Sequence, residues 1–282
     1  MWVLISGGML TLLIAAVGKQ KRNTCKDYAI TIKGNDEDLF LSKSDVLKTL
    51  KAVAKGNIKG QPKKSFNLLR LENLLEENEW VKDAQLYFDN KDVLHVSVLE
   101  RQPIARIFTS GGKTFYLDDE VQMMKLSGRR TAVVPVFTGY PDKKIQTKND
   151  SVLLNDIKNA AQLINNDSFW TAQVAQIDMK PSEADEGWEF EMIPVVGNHI
   201  IKLGDGQNIV QKFNRLFIFY KEVLSRTGFN KYKTIDVRYA GQVIGGKSEN
   251  PKVDSVLLRR SVENMLDQIK KMEVETPADH LP

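Results

Sequence analysis

Along this chain the apolar residues change period several times, and each change marks an element. Residues 2–18 (WVLISGGMLTLLIAAVG) carry no charge and run apolar without a break, whereas everything after them mixes apolar and polar positions. Ile30 and Ile32 alternate with polar neighbours through residues 28–33 and stop at Gly34, which predicts a short strand and a turn. Ser42 or Ser44 is placed to cap a helix carrying Val46, Leu47, Leu50, Val53 and Ala54, with Gly56 to end it. Two glycines and Pro62 make a loop of residues 55–64. Leu68, Leu71, Leu74 and Leu75 then recur at helical spacing, and residues 81–88 and 93–99 read as strands joined by the turn Asp89-Asn90-Lys91-Asp92. The order is β-α-α-β-β.

Past Pro103 the pattern turns mostly to strands: residues 104–108, 114–117, 121–125 and 133–137. A helix from near Asp150 carries Leu154, Ile157, Ala161 and Ile164. Strands at 174–179, 188–193 and 199–203 follow, and then a helix with the stripe Ile209, Phe213, Leu216, Phe217, Tyr220 and Leu224, ending near Gly228. A strand over residues 234–244 closes this part. There Ile235, Val237 and Tyr239 should share one face, with Gly241 kinking or bulging the strand. After Gly245-Gly246, Leu258, Val262, Met265, Leu266, Ile269 and Met272 give one more amphipathic helix.

The whole is an α+β chain in five stretches: an anchor helix over 1–18, a juxtamembrane linker over 19–27, a first domain over 28–103, a second over 104–246 and a tail over 247–282. At 282 residues, 42% hydrophobic and 27% charged, the length suits two modest domains and the balance is that of globular protein. Net charge is +4 with the signs interspersed, which argues against a nucleic-acid partner. The apolar start spans about 25 Å as a helix, at the short edge of what crosses a bilayer. It lacks the basic leader of a cleaved signal and reads as an uncleaved anchor. Lys19, Lys21 and Arg22 follow it, a bias that would by itself retain the remainder in the cytoplasm.

Residues that could carry chemistry do not converge. Cys25 is the single cysteine and reads as a lone thiol near the membrane surface; with no second cysteine, no internal disulfide can form. His95, His199 and His280 are far apart and none has a partner at metal-ligand spacing. Ser110-Gly111-Gly112-Lys113 matches a Ser-x-x-Lys pattern, but that chemistry needs a helix and two glycines predict a turn. Asn166-Asp167-Ser168 forms a glycosylation triplet of the kind common by chance. Neither cofactor nor metal is expected, and the chain is expected to act without catalysis.

Residues 67–105 are the most diagnostic: a leucine-rich helix, Trp80-Val81, Ala84, a strand, Leu94-His95-Val96 and the stop Glu100-Arg101-Gln102-Pro103. This resembles a POTRA domain, and more narrowly the POTRA domain of the bacterial cell-division FtsQ/DivIB family. Gly34, Trp80, Val81, Glu100, Arg101 and Pro103 carry the signature. Phe115-Tyr116-Leu117-Asp118, the segment 199–204 and Ile235-Asp236-Val237-Arg238-Tyr239 are similar to parts of that family's β-domain, a mixed α/β domain with a curved, mostly antiparallel sheet.

The resemblance implies a non-enzymatic divisome scaffold in the inner membrane, single-pass, its bulk in the periplasm. It implies FtsB-like and FtsL-like partners, the first bound by strand addition at Arg238, Tyr239, Gln242, Val243 and Ile244, and further divisome contacts through the POTRA domain. Two departures stand out: Asp205 where some relatives carry arginine, and Gly245-Gly246 where some end the strand in aromatics. A POTRA-bearing transport or outer-membrane assembly accessory is the alternative, although repeated POTRA units and a long alternating barrel are not seen.

Overall fold

The computed structural model describes residues 24–34, 39–53, 56–142, 148–183 and 187–247. The expected anchor, most of the linker and the expected helix of the tail lie outside the described residues, as does His280. Among the described residues no helix is long and apolar enough to cross a membrane. The chain divides into two compact units, one of residues 1–103 with 115–133, the other of residues 104–114 with 134–282.

The first unit follows the predicted order: β1 (Asp27–Lys33), α1 (Lys43–Val53), α2 (Leu68–Glu76), β2 (Val81–Phe88) and β3 (Val93–Glu100). The strands lie in the order β1-β3-β2, with β1 parallel and β2 antiparallel to β3. The β1–β3 connection passes through both helices, as a parallel pair requires a crossover. Alternation then puts Leu94, Val96, Val98, Ala84 and Leu86 in the core with Val46 and Leu50 of α1 and Leu71 and Leu75 of α2. Reciprocal capping starts α1: Ser42 Oγ accepts from the Asp45 amide at 3.2 Å and Asp45 Oδ2 accepts from the Ser42 amide at 3.0 Å. Asn67 Oδ1 accepts from the Arg70 amide and starts α2.

The chain then runs through β4 (Pro103–Thr109) of the second unit and comes back with β5 (Thr114–Asp118) and the two-residue β6 (Met123–Met124), whose residues from Phe115 on belong to the first unit. The strand expected over 121–125 shrinks to Met123–Met124 because Val121 sits at φ 67°, a turn conformation a β-branched residue adopts only under constraint.

In the second unit β7 (Val136–Tyr140), β8 (Val174–Pro181), β9 (Trp188–Pro194), β10 (Ile200–Gly204), β11 (Tyr232–Asp236) and β12 (Ile244–Lys247) join β4 in the order β12-β11-β10-β9-β8-β7-β4. Its helices are α3 (Lys148–Asn165), α4 (Ser168–Gln173) and α5 (Ile209–Phe219), the last continuing through a wide π-turn at Tyr220–Leu224. The strand directions combine a parallel part with the expected antiparallel one. Pairs β4/β7, β7/β8 and β10/β11 are parallel, while β8/β9, β9/β10 and β11/β12 are antiparallel, so the sheet is mixed. The physical reason is the connections: α3 with α4 carries the chain from β7 to β8, and α5 carries it from β10 to β11, each a crossover that returns the strand in the same direction.

Three local expectations also shift. The strand expected over 133–137 begins at Val136, and Val133 is 98% exposed. The short helix α4 has no counterpart in the hydrophobic pattern. Its signal was Asp167, which accepts from the amides of Phe169 and Trp170 as an N-cap inside the apparent glycosylation triplet. The single strand expected over 234–244 is in fact two, β11 and β12, because the chain leaves the ladder at Val237 and reverses with Gly241 at φ 75°.

Candidate partner-binding edge

A strand at a sheet border carries unpaired N–H and C=O groups, so each border is either closed by the protein or open to another chain. In the first unit β2 is closed. Its amides at Ala84 and Leu86, two residues apart and thus pointing the same way, donate to Glu76 Oε1 at 3.1 Å and Glu72 Oε1 at 2.7 Å. Glu72 and Glu76 stand one helical turn apart on α2, which sets both carboxylates along the strand.

In the second unit the border is β12. Among the described residues it has one neighbour, β11, with Ile235 opposite Gly245 and Asp236 opposite Ile244. Gly245 and Gly246 are there because β11 side chains occupy the space: a Cβ on Gly245 would stand 2.5 Å from the Tyr232 ring, and one on Gly246 2.3 Å from Thr234 Oγ1. The Tyr232 ring lies over Gly245 and supplies the packing a glycine lacks. Phe219 of α5 holds that ring edge-on at 5.5 Å.

The residues from Ile235 to Ile244, which include those expected to meet a partner, occupy three settings. Ile235 and Val237 are fully buried, but Tyr239 is 47% exposed and so is not core. Tyr239, Gln242 and Val243 lie on the reversal between β11 and β12, and Ile244, 46% exposed, opens β12. Arg238 is engaged within the chain. Its guanidinium forks onto Asp236 (Nε to Oδ1 3.1 Å, Nη2 to Oδ2 2.8 Å), reaches Glu189 at 3.5 Å and lies 5.8 Å over the Tyr239 ring. Burial would raise the Asp236 carboxyl, but the Arg238 hydrogen bonds outweigh it and hold that group below the ordinary aspartate range. Gly204, at φ 69°, leaves room for Arg238, whose Cγ would be 2.8 Å from a Cβ there. Asp205 is paired with the buried Lys212 at 2.6 Å.

The signature residues of the first unit converge at one end of its sheet. Trp80 stacks on Phe40 at 4.4 Å, and its carbonyl accepts from the Arg101 amide; Val81 is buried opposite Glu100. A Cβ on Gly34 would lie 2.9 Å from Leu39 and 3.3 Å from Glu100 Cβ. Glu100, 2% exposed, takes amide hydrogens from Leu41 and Phe40; burial pushes its carboxyl above the usual glutamate range despite them. Arg101 bridges Asp118 at 2.6 Å and Glu120 at 2.8 Å, and Pro103 begins β4. The signature is thus a packing device that holds residues 39–41 ahead of α1 and receives the 115–133 segment.

The remaining candidates are structural. Ser110 to Lys113 form a tight turn, with Gly112 at φ 84° and Lys113 paired with Asp142 at 3.0 Å. Cys25 is buried and its thiol donates to the Asp27 carbonyl; burial pushes its pKa up. His95 pairs with Asp89 and stacks on Tyr87. His199, 1% exposed, sits in a chain that pattern alone could not reveal. Its Nδ1 faces the Phe229 carbonyl at 3.1 Å, its Nε2 the Tyr220 hydroxyl at 2.9 Å, and that oxygen accepts from Gln173 at 3.2 Å. The carbonyl requires a proton on Nδ1, so Nε2 accepts. Burial lowers the His199 pKa. Among the described residues no group of acidic, histidine or cysteine side chains could hold a metal ion.

A family model described as "FtsQ/DivIB, C-terminal related" matches residues 102–246, and a POTRA-like domain model matches residues 23–99. Among curated proteins the chain is similar to the Cell division protein FtsQ of Salinibacter ruber (strain DSM 13855 / M31), 27% identical over 170 residues that cover 58% of this chain and 64% of that protein. The aligned part is a little under two thirds of that relative's length. With a POTRA-like unit followed by a matched C-terminal unit, the chain belongs to the FtsQ/DivIB family.

Proposed function

We propose that this protein is a non-catalytic scaffold of the bacterial division machinery, held at the inner membrane by residues 2–18 with its two units in the periplasm. In this reading it works by lending the β12 border to an extended segment of a partner. The partner would be FtsB-like, arriving with an FtsL-like protein, and the first unit would serve other divisome contacts. The observation that carries the reading is the contrast between borders: β2 is closed by Glu72 and Glu76, while among the described residues β12 has one neighbour and is flanked by half-exposed Tyr239 and Ile244. A strand laid along β12 would gain main-chain hydrogen bonds and place alternate side chains near those two residues. The family and the S. ruber relative support a division role.

The test is titration of a fluorescently labelled FtsB-like peptide into the full chain. Val243→Pro and Ile244→Asp should each weaken binding at least tenfold while leaving the first unit folded. Unchanged binding in both would refute the assignment of the border.

A further inference from the structure

Between α3 and α5 the second unit carries a groove of roughly 750 Å³ whose walls are largely side-chain amides. Asn159, Gln162 and Asn166 line it from the α3 side, and Asn208, Gln211 and Asn214 from the α5 side. Among the described residues none of these six side chains has a hydrogen-bond partner within the chain. Several other amides of the same unit are engaged within the chain. Asn155 and Asn165, also on α3, donate to the carbonyls of Ser151 and Ile104, Gln173 donates to Val196 and Tyr220, and Gln176 donates to Asp178. Among the described side chains of α3, the two amides without a partner, Asn159 and Gln162, are the ones that line the groove.

We infer that this groove binds the main chain of an extended, uncharged or basic peptide segment from another protein. A primary amide offers a donor and an acceptor in one plane, the complement of the N–H and C=O that one residue of an extended chain presents to one side. Amides in facing rows can therefore hold a backbone without reading its side chains. Asn159 to Asn166 spans about 10 Å along α3, the length of about three extended residues.

Charge narrows the occupant. The ionisable lining groups are Asp156 and Asp167, with no lysine, arginine or histidine among the lining residues, so an acidic segment or a phosphate meets repulsion. Asp167 is engaged as the cap of α4, and Asp156 lies against Gly206, where a Cβ would collide with its carboxyl. The floor is apolar, from Leu163, Ile209, Trp170 and Phe213. Trp170 and Phe213 are 3% and 1% exposed, so neither offers the open ring face on which a saccharide would stack.

The site is separate from the β12 border, and the experiment keeps the two apart. Fluorescein-labelled degenerate decapeptides built from Ala, Val, Thr, Ser and Lys are titrated into the full chain. A second pool carries Glu in place of Lys, and a third has N-methylated backbone amides. The lysine pool should bind saturably, and the glutamate and N-methyl pools at least tenfold more weakly. Gln162→Ala with Asn214→Ala, one change at a half-buried and one at an exposed position, should cost at least tenfold, whereas Gly245→Val on β12 should change nothing. Absence of saturable binding would overturn the inference. So would binding indifferent to the amide pair or to N-methylation, loss of binding in Gly245→Val, or displacement of the peptides by chitohexaose.

Discussion

The carboxylate of Glu72 accepts the backbone amide hydrogen of Leu86 at 2.7 Å, so a helix of the first unit hydrogen-bonds the outer side of its own border strand. Glu76 repeats the contact at Ala84. This leaves the N–H groups at those two positions occupied, which is one way a protein prevents border strands from recruiting each other. The double change Glu72→Ala, Glu76→Ala should uncover them. The expected result is concentration-dependent self-association in sedimentation velocity, with a loss of roughly 1–2 kcal/mol in stability from two partly exposed hydrogen bonds. A variant that stays monomeric would show that these carboxylates do not guard the border.

Arg101 holds two acids, of which Asp118 is the buried one. Asp118 also uses Oδ1 to accept from the amides of Glu120 and Gln122, so it shapes the turn while its other oxygen meets Arg101. Arg101→Ala should destabilise the first unit by about 3 kcal/mol, because it strands a buried carboxylate. Adding Asp118→Asn should recover part of that, since the amide oxygen can still accept from the turn. Denaturant unfolding of the single and double variants measures the coupling.

His199 gives the second unit a pH dependence with a definite sign. Burial lowers its folded-state pKa below the unfolded value of 6.5, so the unfolded chain binds the proton more readily. The stability from the neutral ring is therefore fully present above pH 6.5 and is lost as pH falls below it toward the folded pKa. Unfolding midpoints across that range should drop with acid in the native chain, and His199→Gln should flatten the slope. Tyr220→Phe should cost about 1–3 kcal/mol at neutral pH by leaving Gln173 and His199 without their shared hydroxyl.

Gly245 and Gly246 answer to Tyr232 and Thr234. Gly245→Val should push against the Tyr232 ring, loosen β12 from β11 and weaken binding of an FtsB-like peptide, with less effect on overall stability than on affinity. Tyr232→Ala in the same chain should restore part of the affinity by removing the collision. The pair is checked by the same peptide titration as the native chain.

The elements of the first unit were readable from the sequence because its periods are clean: two leucine-containing helices and three alternating strands agree with local capping at Ser42 and Asn67. The second unit was harder for definite reasons. Buried parallel strands such as β7 carry little alternation, and whether a strand runs parallel depends on what the connecting helix does, which no strand pattern records. The β11–β12 reversal hid behind continuous β-forming residues, and only Gly241 marked it. Of the residues expected at the partner edge, Tyr239 and Ile244 are half-exposed, whereas Arg238 is held by Asp236, two residues before it, a contact the strand pattern does not record. The β2 closure and the His199 chain depend on contacts between residues 8 to 47 apart, from Glu76 with Ala84 to Gln173 with Tyr220, and such pairings leave no local trace.

The 115–133 segment has a consequence for how the protein comes into being. Arg101 with Asp118, Glu79 with Lys125 at 2.9 Å and Asp45 with Arg129 at 2.9 Å all join an early stretch to one made later. Trp80 meets Tyr116 edge-on at 5.8 Å in the same way. A nascent chain emerging N-terminus first cannot finish its leading body when Pro103 appears; it must wait, with Trp80 and Asp118's future partner uncovered, until about thirty more residues have been synthesised. A fragment cut at Pro103 would carry that unfinished surface permanently, and the chaperone demand of this protein should peak in that interval of translation.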